Sequence, residues 1–275
     1  MNGLNVLLEK SQQLPTIPEV VQELIETFDR QDVNLDDIAK KIALDQTLSA
    51  KVLRLANTAH YSGSRSVSSV RDAVIVLGFN VLRTLVLSCG FVTAFKAPQG
   101  FDIRQFWQRS FQSAAVCKWL ARYCREDGEV AFTAGLMHDI GGLLLHIVYP
   151  EQAFSIDRTV ALGGKRSTLE STLLGCNYFE VGSALASHWK FPRSMVDGIR
   201  LQEGPLEADS QSVLAGLIFI AQYLIHAQQA GASLAQLGEH FPVEVAQGIG
   251  LDVDAVLDNL EEFQHLEFDI DALLH

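Results

Sequence analysis

The chain has 275 residues, 48% apolar and 20% charged, with 20 glycines and 7 prolines. That composition excludes a disordered or collagen-like chain and gives enough apolar surface for a core without disulfide staples. A net charge of −12 speaks against non-specific binding to nucleic acid or to an anionic membrane.

The charge is uneven. Residues 46–125 carry 11 basic side chains and 2 acidic ones, Asp72 and Asp102, whereas residues 239–271 carry 10 acidic and no basic ones. The default expectation for the basic stretch is scattered solvated charge; the alternatives are an acidic partner or the acidic tail of its own chain. Cysteines 89, 117, 124 and 176 form no CxxC pair, so buried free thiols are expected rather than a zinc ribbon or redox pair. The N-terminus lacks the basic start and long apolar core of a signal peptide, which points to the cytoplasm. The apolar heart of the charge-free stretch 210–238, Val213 to Ile225, is interrupted by Gln222. It is shorter than the roughly 20 residues a span needs, so no membrane association is expected.

In chain order, Pro15 and Pro18 bar a helix before Pro18. Val20, Val21, Leu24, Ile25 and Phe28 then recur at helical spacing. Asn34 is a candidate N-cap for a helix carrying Ile38, Ile42 and Ala43, and Asp45 for the next, carrying Leu48, Val52, Leu53 and Leu55. Residues 57–68 read as a polar loop, Ser69 starts a helix ending near Gly78, and 79–95 is an apolar helix. Pro98 and Gly100 mark a boundary between lobes 1–97 and 98–275. Helical patterns follow at 103–126, 129–148, 167–174, 178–189, 193–202, 211–230 and 252–266, with a turn at Gly163-Gly164. No period-two stretch demands a strand. The expected fold is all-α, two packed helical lobes.

The run AGLMHDIGGLLLH places His138 beside Asp139 within apolar helical sequence. An adjacent imidazole and carboxylate suit Mn, Fe, Zn or Ni when the backbone is suitably turned. AGLMHDIG resembles the HD superfamily of metal-dependent phosphohydrolases. Taken with LPTIPEV, DQTLSAKVLRLANTAHYS, SVRDAVIVLGFNVLRTLVL and Phe106-Trp107, the chain resembles the HDOD family over about residues 12–230. The resemblance implies an all-helical bacterial signalling module with an N-terminal helical lobe and an HD-like lobe.

An active HD site resembles a four-ligand set: an early His, the His-Asp doublet and a late Asp. The resemblance puts Arg109 at the early His and Gln222 at the late Asp. The places of further HD-GYP histidines read Phe179 and Leu201-Gln202, and the GYP signature is missing. Arg has no lone pair to give a metal, and Gln offers a single neutral carbonyl oxygen. Without metal-activated water, hydrolysis loses its nucleophile. Arg109 is therefore expected to replace the cation by pairing with Asp139 in a guanidinium–carboxylate fork; the alternative is a solvent-facing Arg on an amphipathic helix.

His146, two turns beyond His138, reads as a packed or surface histidine, and His188 as a helix-end side chain. His60 and Tyr61 lie in the polar loop, and Asn57 is expected to make capping or turn bonds. The segment SVRDAVIVLGFNVLRTLVL also looks like a helix–turn–helix. Its second helix is nearly all apolar after Arg83, so DNA binding is not expected.

The leading expectation is a non-catalytic signalling or scaffold protein that binds another signalling protein, or a nucleotide or cyclic dinucleotide, in a cleft between the lobes, with no cofactor. One rival is a phosphohydrolase or phosphodiesterase with an atypical divalent-metal site. A third reading is a sensor of a small phosphorylated ligand held by Arg109, Arg83 or Arg71.

Overall fold

The computed structural model describes residues 15–29, 33–58, 66–206 and 211–266, and every regular element among them is a helix. The chain divides into two compact units. One comprises residues 15–96 with 189–192, the other 97–188 with 193–266.

In the first unit, α1 (Glu19–Glu26) starts at Pro18 and buries Val20, Val21, Leu24 and Ile25 on one face. Asn34 caps α2 (Leu35–Leu44) by accepting from the Asp37 N–H. Asp45 caps α3 (Gln46–Ala56) through the Leu48 N–H. Asn57 ends α3 and ties it to the next segment: its amide donates to the Leu53 and Val67 carbonyls at 2.8 Å, and its Oδ1 accepts from the Val67 N–H at 2.8 Å. His60 and Tyr61 lie outside the described residues. Ser69 caps α4 (Val70–Leu77), and α5 (Phe79–Ala94) buries ten consecutive residues from Leu82 to Phe91. At Gly90 a Cβ would stand 2.6 Å from Val21 Cγ2, so glycine is what lets α5 approach α1.

The segment Trp189–Pro192 completes this unit's core. Trp189 is 3% exposed and stacks on Phe91, ring centroids 5.4 Å apart and planes 4° from parallel. Its indole meets Phe95 edge-on at 6.0 Å. Gln22 Nε2 donates to its carbonyl at 2.6 Å. Lys190 takes a left-handed φ of 61°, costly for a residue with a Cβ, while Phe191 on its other side packs on Phe28 and Phe91.

In the second unit, α6 (Ile103–Ala121) packs against α7 (Gly128–Met137). A Cβ at Gly135 would lie 2.9 Å from Ala114 Cα, so these helices touch backbone to backbone. Then come α8 (Ile140–Val148), α9 (Pro150–Val160), α10 (Arg166–Leu174), α11 (Tyr178–His188), α12 (Arg193–Arg200) and α13 (Val213–Gln229). Four short helices follow: α14 (Leu234–Glu239), α15 (Val243–Gly248), α16 (Val253–Asp258) and α17 (Leu260–Phe263).

Three expectations are corrected. The patterns at 103–126 and 252–266 are shorter or divided, since α6 stops at Ala121 and a turn at Asn259 separates α16 from α17. Residues 150–160, to which the sequence pattern assigned no element, form a helix: proline stands at its first position, where the missing N–H costs nothing. The apolar run 129–148 is two helices broken at His138-Asp139. Gly142 N–H bonds to the Asp139 carbonyl at 3.0 Å instead of to His138, whose carbonyl accepts from Gln202 Nε2 at 2.8 Å. By length and composition, Gly128–Val148 could cross a membrane, but 83% of its apolar window is buried inside the protein.

Candidate functional site

The doublet occupies the turn between α7 and α8. His138 is 7% exposed. Its Nδ1 lies 2.7 Å from the Gly135 carbonyl, which can only accept, so Nδ1 bears the hydrogen and Nε2 is left with the lone pair. Burial holds its pKa below the usual 6.5, outweighing the Asp139 charge and the Gly135 bond, and the ring is neutral near pH 7. Gln202, 3% exposed, bonds both the His138 and the Ile199 carbonyls at 2.8 Å. It clamps the turn rather than facing a ligand.

Asp139 is half-buried, and its carboxylate makes no hydrogen bond among the described residues. Its carboxylate lies over the first turn of α8, where any side chain at Gly142 would strike Oδ1. Burial pushes its pKa above 3.8; His138, Arg166, His146 and Arg109 oppose this, in that order.

That order corrects the expected Arg109–Asp139 fork. Arg109 is exposed and makes no ion pair with Asp139 within 4.0 Å; its charge acts only through space, on Asp139 and on His226. The cation with more influence on Asp139 is Arg166, at the start of α10. Gln222 turns to α6 and donates to Ser113 Oγ at 2.9 Å.

Around Arg166 lies a polar cluster that the sequence reading did not find. Arg166 Nη2 donates to Asp157 Oδ1 at 2.6 Å. Asp157 Oδ2 lies 2.8 Å from His146 Nε2, and His146 Nδ1 lies 2.7 Å from the Gly142 carbonyl. Both ring nitrogens face acceptors, so the ring carries both hydrogens and a positive charge. Burial opposes that charge, but the bonds to Asp157 and Gly142 win and raise the His146 pKa. Burial likewise opposes ionised Asp157, and His146 and Arg166 outweigh it, lowering the pKa. Phe101 and Phe154 enclose the imidazole at 4.7 and 5.4 Å, so His146 is a packed histidine. No local period links positions 146, 157 and 166; only the missed helix α9 brings them together.

The signs follow from these shifts. Raised His146 contributes stability that is complete below its unfolded pKa and lost as pH rises through the folded one. Depressed Asp157 contributes stability complete above its unfolded pKa and lost as pH falls through the folded one. Asp157→Asn is expected to cost about 1–3 kcal/mol near pH 6 and to bring the His146 titration down, read from its ring-proton resonance. An unmoved midpoint would remove the Asp157 bond from this account.

Arg71 and Arg83 both belong to the first unit and are engaged there. Arg71 is exposed and stands 3.5 Å from Asp36. Arg83 is 5% exposed, its guanidinium 3.8 Å above the Phe28 ring, with Nη1 donating to Thr27 Oγ1 at 3.4 Å. The charged face of Arg83 lies over an aromatic ring within its own unit. Phe179 lies edge-on to Tyr178, and His188 is exposed at the end of α11. Burial pushes the Cys89 and Cys117 thiols up to about 12, so both are inert.

Among the described residues no three His, Cys, Asp or Glu side chains converge on a cation position. With Gln222 tied to Ser113 and Arg109 exposed, only His138 and Asp139 of the four expected places offer donors, too few to fit a divalent metal.

A family model described as the HDOD domain matches residues 14–205. A crystal structure from Shewanella amazonensis SB2B, whose name provisionally assigns it to the phosphohydrolases, is 32% identical, with TM-score 0.85 and 98% of each chain covered. An HDOD domain protein of unknown function from Geobacter sulfurreducens is 25% identical, with TM-score 0.77, covering 95% of this chain and 96% of that one. An uncharacterized protein of Treponema pallidum is 23% identical over 197 residues, 70% of this chain; the match spans only 38% of that protein's length.

Proposed function

The chain belongs to the HDOD family, and from that premise we propose that it is a non-catalytic bacterial signalling module, working in the cytoplasm by binding another signalling protein. In this reading the His138-Asp139 turn serves as structure rather than as a metal centre. A nucleotide or cyclic dinucleotide is the alternative ligand. The observation that carries the proposal is the fate of the ligand places. Gln222 spends its amide on Ser113, Arg109 brings a positive charge, and the His138 turn is clamped by Gln202. Two donors alone hold a divalent metal poorly, and no activated water follows. A structural neighbour from Marinobacter aquaeolei VT8, named for signal transduction, supports the reading: it is 26% identical, with TM-score 0.79, and this chain covers 60% of it.

A second reading, an atypical phosphohydrolase, draws on the Asp139 carboxylate, which is half-buried and makes no hydrogen bond among the described residues. Elemental mass spectrometry separates the two, after the purified protein is incubated with Mn, Fe, Zn and Ni and then passed through a desalting column. The binding module is expected to retain no metal above background. Metal near one equivalent per chain, removed only by chelator, would overturn it in favour of the phosphohydrolase.

A further inference from the structure

Glu170 is a carboxylate with 2% of its surface exposed. Its Oε2 accepts from the backbone N–H of Tyr178, the first residue of α11, at 2.7 Å. Its Oε1 stands 3.5 Å from Arg166 Nη1, while the shorter bond of that guanidinium, 2.6 Å, goes to Asp157. Glu170 therefore fastens α10 to the N-terminus of α11 while sharing the Arg166 guanidinium with Asp157.

The ionisable groups around it come from every neighbouring element. Arg166 lies on α10 and Lys165 caps it; Asp157 is on α9; His146 is on α8, with Asp139 at its N-cap. From α11 come the Tyr178 hydroxyl and Glu180, which accepts from the Asn177 N–H at 3.0 Å. Beyond α12, Glu203 accepts from the Tyr178 hydroxyl at 3.2 Å and Ser167 Oγ at 2.7 Å, and meets Lys165 at 3.1 Å. Arg166, Lys165 and protonated His146 thus face Asp139, Asp157, Glu170, Glu180 and Glu203, so carboxylates outnumber cations. The most buried of those carboxylates is Glu170, and burial raises its pKa to about 7, against the Tyr178 bond and Arg166.

Tyr178 also leads to the doublet. Its carbonyl oxygen lies against Gly141, the second residue after Asp139, where there is no space for a Cβ. A movement of the first turn of α11 therefore reaches the first turn of α8 with no compliant side chain between.

We propose that Glu170 is a proton-operated clasp: as a carboxylate it draws the Tyr178 N–H and the start of α11 onto α10, and as a neutral acid it loosens that grip, shifting the turn that carries His138 and Asp139 through Tyr178 and Gly141. An N–H bond to a charged acceptor is about twice as strong as one to a neutral acceptor. The clasp goes beyond the binding-module reading and does not depend on it.

The test uses the full chain labelled with 15N-tyrosine, 15N-glycine and side-chain-carboxyl 13C-glutamate, titrated from about pH 5 to about pH 9. Glu170 is expected to titrate near neutrality, the Tyr178 and Gly141 amide resonances to move with the same midpoint, and Glu170→Gln to abolish both movements. His146→Gln removes the neighbouring titration and should leave the Tyr178 and Gly141 movements in place, so the test stands even if Glu170→Gln fails to fold. Titration of Glu170 near the ordinary 4.5 would overturn the proposal. So would a Gly141 resonance that stays still while Tyr178 moves, or one that loses its movement in His146→Gln.

Discussion

Gly141→Ala is expected to destabilise the second unit by about 3 kcal/mol, the upper end for overpacking, and to lower the urea midpoint without changing the slope. The added Cβ would collide with the Tyr178 carbonyl oxygen, and would lie 2.5 Å from the Gly182 nitrogen and 2.9 Å from the Tyr178 carbonyl carbon. All three are backbone atoms, so no rotamer change relieves the collision; α8 and α11 would have to separate. The control is Gly128→Ala, at the start of α7. Its nearest neighbour is a side-chain methylene, Lys118 Cγ, at an ordinary contact distance of 3.4 Å, and the change should stay within about 0.5 kcal/mol. Equal, small effects at both positions would show that the α8–α11 crossing yields, and the contact between Tyr178 and Gly141 would lose its mechanical meaning.

Trp189→Ala is expected to cost about 3–5 kcal/mol in the first unit. The indole fills space between Phe91 and Phe95, and a methyl group cannot reach either ring. The Gln22 bond to the residue's carbonyl survives, because it uses the backbone. Lys190→Gly in the same segment should be neutral or gain a few tenths of a kcal/mol, since glycine accepts a positive φ without the Cβ penalty. Denaturation followed by tryptophan-independent far-UV dichroism measures both. A loss below about 1 kcal/mol for Trp189→Ala would mean the aromatic cluster closes over the gap.

Local chemistry was legible in the sequence where local chemistry decides. Asn34, Asp45 and Ser69 cap the helices their positions suggest, because a short polar side chain before an apolar period has few other uses. The doublet was legible as a motif, but its surroundings were not. Hydropathy runs unbroken through 129–148 because both helices there are buried on most sides, so the turn at His138-Asp139 leaves no trace in the pattern. Arg166, Asp157 and Glu170 gather around the doublet only once α9 folds back from Pro150, and a proline after Tyr149 reads as easily as a stop as a start. The pairing of Arg109 with Asp139 was inferred from ligand places alone. The helix instead directs Arg109 outward and Ser113, one turn on, toward Gln222.

The residence of Trp189–Pro192 in the first unit's core has a consequence for inheritance and for dissection. Neither unit is a contiguous stretch of chain. A fragment ending at residue 96 would leave Phe28, Phe91 and Phe95 facing water, an apolar patch of the kind that drives association. Recombination that exchanged one half of the gene for a homologue's would mate foreign rings with this pocket unless the four residues travelled with it. A piece that keeps this core whole therefore runs from Pro15 to Pro192.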